Sequence, residues 1–178
     1  QKDFQSANAL FNDAMLEFDS SADLFYIGGL IGLRLDDLEK ANEYFQKAIE
    51  LDGSNQGYRD KWDKLNEMNS GLKNAKKTFD NGNVDDAIIE YLKLGEKYPQ
   101  NGIVFYTLGL VFKSIEDYDL AVENYLKAIT ANPFEEKYAK AIAVISQIMA
   151  KEGDTEYRRK EYEEAIDYYL KAVKYSPD

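Results

Sequence analysis

The chain of 178 residues contains no cysteine and no histidine. The first absence excludes disulfides and thiolate metal sites. It leaves the compartment open, because reducing and oxidising compartments both hold cysteine-free proteins. The second removes the side chain most used for acid–base catalysis near neutral pH, so any catalysis would rest on carboxylates, Lys, Tyr or Ser. Proline is scarce, and none of the three lies inside a candidate helix. The longest apolar stretch, Leu24 to Leu35, carries Arg34 within it and is too short to span a bilayer. Positive charge is in deficit. The 22 basic and 33 acidic residues give a formal charge of −11, which opposes nonspecific binding to nucleic acid or to an anionic membrane. No phosphate loop, dinucleotide fingerprint or Gly-x-Ser-x-Gly turn is present, and no leader segment is visible. Gln1 begins almost inside a helix, so the sequence reads as a trimmed piece of a longer protein, with bacterial periplasm and cytoplasm both open.

What the chain does have is repetition. An Ala is followed by an aromatic four residues on, usually by Ala three further, and by a turn five further. The copies are Ala41, Phe45, Ala48, Gly53; Ala87, Tyr91, Leu94, Pro99; Ala121, Tyr125, Ala128, Pro133; and Ala165, Tyr169, Ala172, Pro177. A partial copy opens the chain with Ala7, Phe11, Ala14 and Asp19. These spacings follow the 3.6-residue helical period. A recurrence of this size predicts stacked helix pairs, each too small to bury its apolar face alone.

The expected organisation is one array: a half repeat over 1–21, then repeats over 22–55, 56–101, 102–135 and 136–178, about nine helices in all. The second and fourth repeats carry extra residues, Gln56 to Glu67 and Glu136 to Ile145, with no Pro between them. They read as N-terminal extensions of the following helix, adding roughly 15–18 Å at the α-helical rise.

These residues resemble the tetratricopeptide repeat family, a helix–turn–helix of about 34 residues. The third repeat carries the resemblance furthest, with Phe105, Leu108, Gly109, Phe112, Tyr118, Ala121, Tyr125, Ala128 and Pro133. Departures are the two lengthened first helices, Leu94 in place of Ala, and Glu152-Gly153 in the last repeat. The resemblance implies an all-α, right-handed superhelical solenoid whose first helices line a concave groove that binds peptides or helices of other proteins. It also implies which residues face that groove: Tyr26, Leu30 and Arg34; Lys73, Lys76 and Phe79; Tyr106, Leu110 and Lys113; Lys151, Tyr157 and Arg158. Basic residues outnumber acidic ones on this face, against the sign of the whole chain, which suits an acidic or amphipathic segment with hydrophobic anchors. The clamp of Lys, Asn and Arg that some members use for a C-terminal carboxylate does not carry over. In one register its places hold Tyr26, Leu30, Lys73, Ile103 and Thr107, and in the next Leu72, Lys76, Thr107, Gln147 and Lys151.

The extensions are a second candidate surface. Tyr138, Ile142, Ile145 and Met149 form one stripe, widened by Ala141, Ala143, Val144 and Ile148, so this helix either packs under a neighbouring unit or docks a partner. Trp62 and Leu65 mark its counterpart, where more intervening charge predicts greater exposure. End faces of the array offer a route to homo-oligomers, which makes a structural or assembly module the alternative to groove binding. A carboxylate-dependent hydrolase is the remote alternative. The acidic pairs Asp36-Asp37, Asp85-Asp86 and Glu163-Glu164 stand at helix starts, where capping and the helix dipole explain them. Asp80 to Asp85 resembles a calcium loop only faintly, lacking the Gly and closing Glu that such loops use. The sequence therefore predicts no enzyme, no metal and no cofactor, with a protein or peptide as partner.

Overall fold

A computed structural model describes residues 2–17 and 20–176. The side chains of Phe4 and Ala7, with Asp19 and Pro177, lie outside the described residues. Among those described, the chain is all-α, with nine helices and no strand: α1 (Lys2–Glu17), α2 (Ala22–Arg34), α3 (Leu38–Leu51), α4 (Gln56–Asp80), α5 (Val84–Lys97), α6 (Gly102–Ser114), α7 (Tyr118–Ala131), α8 (Glu136–Arg159) and α9 (Tyr162–Lys174). They form two compact units, Gln1–Asn101 and Gly102–Asp178.

The repeated Ala and aromatic positions are the core. Ala41, Phe45, Ala48, Ala87, Tyr91, Ala121, Tyr125, Ala128, Ala165 and Ala172 are buried. Each fully buried aromatic contributes on the order of 2–3 kcal/mol of transfer free energy, and the alanines set how closely the helices approach. Gly29 and Gly109 complete that approach: a Cβ on Gly29 would overlap the Phe45 ring, and one on Gly109 the Tyr125 ring. Gly153 does the same against Tyr169, so the last repeat keeps its glycine despite its departure at Glu152.

The four hairpins turn in one way. After α2, the N–H of Asp37 donates to the carbonyl of Gly32 and that of Asp36 to Leu33. The same two bonds follow α4 (Asn83 to Thr78, Gly82 to Phe79), α6 (Asp117 to Phe112, Glu116 to Lys113) and α8 (Glu161 to Glu156, Lys160 to Tyr157). This is the Schellman arrangement, which puts one residue in the left-handed region. Gly82 takes it at φ 86°, but Asp36, Glu116 and Lys160 take it at 53°, 64° and 68° without being glycine. The second acid of two turns then caps the next helix: Asp37 accepts from the Lys40 N–H at 3.0 Å and Asp117 from the Leu120 N–H at 3.1 Å.

The two extensions are helical, giving α4 25 residues and α8 24, and the first unit shows their use. The N-terminal half of α4 lies on the preceding hairpin, with Tyr58 against Tyr26 of α2 and the Trp62 indole N–H donating to Asn42 of α3 at 2.8 Å. From its middle onward it pairs with α5, where Thr78 meets Glu90 and Glu67 takes Lys97 and the Tyr98 hydroxyl. In the second unit α8 does likewise. Tyr138 packs on Tyr106 of α6, while the Ser146 hydroxyl donates to the Ala172 carbonyl of α9 at 2.7 Å. One long helix thus serves two neighbours. In the first unit α1 brings Phe11 edge-on to Tyr44, at 5.7 Å between centroids, and leaves Leu10 and Leu16 exposed.

Candidate binding surfaces

Helices α2 and α6 build the same aromatic rung, one in each unit. In the first unit Tyr26 stacks on Tyr58, with centroids 4.9 Å apart and ring planes 29° apart, and leans on Phe45 at 5.6 Å. In the second unit Tyr106 meets Tyr138 at 5.1 Å and Tyr125 at 5.7 Å. The three members recur at one constant offset along the chain, so the rung is a duplicated feature. Tyr58 and Tyr138, the inner rings, are buried, while Tyr26 and Tyr106 stay half-buried at the surface.

The two rungs differ in charge. In the first, the Tyr58 hydroxyl donates to Asp23 Oδ1 at 2.5 Å. That bond, then burial and the Asp23 charge, push the Tyr58 phenol up to about 12. In the second, Ile103 stands at the place of Asp23, and the Lys137 ammonium lies over Tyr106 and Tyr138 at 5.7 and 5.3 Å. Burial pushes the Tyr125 phenol upward, its hydroxyl finding no partner among the described residues.

None of the twelve groove residues expected from the sequence is consumed by the core. On α2, Tyr26 and Leu30 are half-buried and Arg34 is exposed; on α4, Lys73 and Lys76 are exposed and Phe79 half-buried. In the second unit, Tyr106 and Lys113 on α6 are half-buried and Leu110 exposed, while Lys151, Tyr157 and Arg158 on α8 are exposed. Lys76 is partly neutralised by Asp80, 2.6 Å away one turn on. Tyr157 meets Tyr162 edge-on at 5.6 Å.

The extension residues fare differently. Tyr138 and Ile145 have no exposed surface, Ile142 and Met149 almost none, and Leu65 is buried as well. The expectation that Leu65 is more exposed than its counterparts is thus corrected: it lies in the interior of the first unit, and only Trp62 of that pair is half-buried. The wide apolar face is used inside each unit, because the N-terminal half of a long helix is flanked by both helices of the preceding hairpin.

Two features carry no signal in the repeat pattern. One is a cleft in the first unit between α2 and α4. Leu33, Lys61, Lys64, Leu65, Met68, Tyr98 and Asn101 line it, around a cavity of about 90 Å³. The other is the clamp at Asp119, where Oδ1 accepts from Lys174 at 3.0 Å and from the Tyr175 hydroxyl. Those two bonds hold the Asp119 carboxyl below its ordinary value. Among the described residues no cluster of three or more acidic side chains could hold a metal, and no helix is long and apolar enough to cross a membrane.

Residues 22–55, 104–135 and 146–178 match the family model of the tetratricopeptide repeat. The matched stretches leave out the α4–α5 pair, where Leu94 replaces the usual Ala. The chain is 27% identical over 93 residues to the photosystem I assembly protein Ycf3 of Synechococcus elongatus, covering 50% of this chain and 54% of that protein. Against Ycf3 of Rippkaea orientalis it is 28% identical over 97 residues, covering 52% and 56%. It thus spans about half the length of the curated relatives it matches. Among solved structures it is similar to MamA, at 18% identity and TM-score 0.40 over 98% of this chain and 89% of that one. A human IFIT1 dimer with m7Gppp-AAAA aligns at 17% identity and TM-score 0.44, over 98% and 55%.

Proposed function

We propose that this chain, which belongs to the tetratricopeptide repeat family, is a non-catalytic scaffold that holds a segment of another protein on its first helices. The observation that carries this reading is that all twelve candidate positions on the first helices of the repeats keep access to solvent, while the repeated alanines of the second helices, with Phe45, Tyr91 and Tyr125, are buried. In the first unit the surface offers the Tyr26 ring, Leu30 and Phe79 as apolar contacts, with Arg34, Lys73 and Lys76 around them. In the second it offers Tyr106, Leu110 and Tyr157 with Lys113, Lys151 and Arg158. Aromatic faces flanked by cations suit an amphipathic segment with acidic residues between its apolar anchors. The photosystem I assembly proteins it matches over half their length are named for assembling a complex, which agrees with a partner-holding role.

Affinity capture from an extract of the source organism, run with the native chain and with Lys73, Lys76 and Lys113 changed to Glu, tests the reading. The native chain is expected to retain a partner that salt releases, and the reversed chain to lose it. Equal retention by both overturns groove binding.

A second reading, association through an end face, is favoured by α9. Tyr162, Ile166, Leu170 and Val173 fall along one side of that helix, and each is more than half exposed. At the places of Ile166, α3 has Asn42 under Trp62 and α7 has the buried Val122. Sedimentation velocity over a concentration series distinguishes it: growth in mass that Ile166→Glu abolishes supports association, and a monomer throughout excludes it.

A further inference from the structure

We infer that the cleft between α2 and α4 in the first unit is an anchor pocket for a single acidic side chain, a glutamate, of the bound segment. The inference rests on the reading of the first helices as the binding surface, and it names the residue that the surface selects.

The floor of the cleft is apolar and fixed. Leu65 and Met68 are almost fully buried on α4, and Leu33 closes the side toward α2. Tyr98, held by its hydroxyl bond to Glu67 at 2.9 Å, forms the far wall. The polar lining is Lys61 and Lys64, one helical turn apart on α4, together with the neutral Asn101. Among the described residues neither ammonium has an ion-pair or hydrogen-bond partner, whereas Lys76 farther along the same helix is paired with Asp80. A cavity of about 90 Å³ holds the equivalent of several water-sized probes of about 10–15 Å³ each, which is room for one side chain and not for a folded element.

Comparison of the two units shows that these lysines are not required by the fold. The duplicated positions agree where they pack: Tyr58 with Tyr138, Leu65 with Ile145, Phe45 with Tyr125. At the same offset, Lys61 and Lys64 correspond to Ala141 and Val144, and Leu33 to Lys113. The second unit stacks the same helices with small apolar residues at the two places. Two ammonium groups bordering an apolar floor are therefore an addition specific to the first unit. A glutamate satisfies both parts of it: its two methylenes lie on Leu65 and Met68, and its carboxylate meets two charged donors. A glutamine of the same shape keeps the first contact and loses the second.

The test uses the chain with ¹³C-labelled methyl groups, titrated with two blocked tetrapeptides, Leu-Glu-Glu-Leu and Leu-Gln-Gln-Leu. The acidic peptide is expected to shift the methyl signals of Leu33, Leu65 and Met68, and the amide peptide to leave them in place. Lys61→Ala with Lys64→Val installs the residues of the second unit and is expected to keep the fold and weaken the acidic peptide about tenfold. Lys61→Arg with Lys64→Arg is expected to retain it. Binding by the Ala/Val chain equal to the native one overturns the pocket. Shifts confined to the surroundings of Tyr26 and Lys73, abolished by Lys73→Glu, overturn it as well while leaving the wider groove reading intact. Absence of any shift also overturns it, and the groove reading then stands or falls on the captured partner alone.

Discussion

Gly71 of α4 lies directly against Leu94 of α5, so close that a Cβ on the glycine would come within 2.5 Å of a leucine methyl. In the other three hairpins the sizes are reversed. The places of Gly71 hold Phe25, Phe105 and Met149, and the place of Leu94 holds Ala48, Ala128 and Ala172. The second repeat has exchanged large for small across one contact, so that the leucine of the second helix fills the space the glycine leaves. The two substitutions are therefore coupled. Gly71→Ala gains about 1 kcal/mol of helix propensity but overpacks against Leu94, whereas in a Leu94→Ala chain only the gain remains. A double-mutant cycle in urea is expected to give an interaction of at least about 1 kcal/mol, and additive values contradict the exchange.

The turn after α8 places Lys160 at φ 68°, where a side chain crowds the backbone. Lys160→Gly is expected to stabilise the chain by about 1 kcal/mol and Lys160→Ala to do so far less. Glu116→Gly, at φ 64°, is expected to behave alike. Chemical denaturation of the three variants checks this.

Tyr125 buries a hydroxyl that has no partner among the described residues, and Phe45 fills the corresponding place in the first unit without one. Tyr125→Phe is expected to leave stability unchanged or raise it by about 1–2 kcal/mol, and Phe45→Tyr to lower it by a similar amount. A loss on Tyr125→Phe shows that the hydroxyl is satisfied.

The Tyr58 phenol donates to Asp23 and is pushed up to about 12 from an ordinary value of 10.0. A raised native value means that the folded chain holds its proton longer than the unfolded one. The stability from this bond is thus complete below about pH 10 and is lost as pH rises toward about 12. Asp23→Ala is expected to bring the titration of Tyr58 back toward 10.0, read as tyrosinate absorbance with Tyr58→Phe as the assigning control. An unchanged titration contradicts the bond.

The repeats and their turns were legible because Ala, aromatic and Ala recur at helical spacing, and each marks a close contact. The two long helices were legible because Gln56 to Glu67 and Glu136 to Ile145 contain no Pro and only one Gly, Gly57, close to the helix start. The pattern did not distinguish burial from docking for Tyr138, Ile142 and Ile145, since an apolar helix face looks alike under a neighbour or a partner. Leu65 was misjudged because charged neighbours in sequence, Lys61 and Lys64, border the same cleft without exposing the leucine beneath them. The bonds from Tyr58 to Asp23 and from Tyr175 to Asp119 join distant stretches of chain, and nothing local announces them. The candidate groove was legible only through family register, and the lysines of the α2–α4 cleft not at all, because position in the repeat does not assign them.

The most direct test of the account is the affinity of the captured partner, measured by calorimetry at low and moderate salt for two charge-reversed chains. Lys73→Glu with Lys151→Glu alters the first helices; Lys47→Glu with Lys93→Glu alters α3 and α5. The account predicts at least about tenfold weaker binding for the first chain at low salt, near-native binding for the second, and a smaller difference as salt rises. Equal affinity for the two chains, or a greater loss in the second, contradicts it.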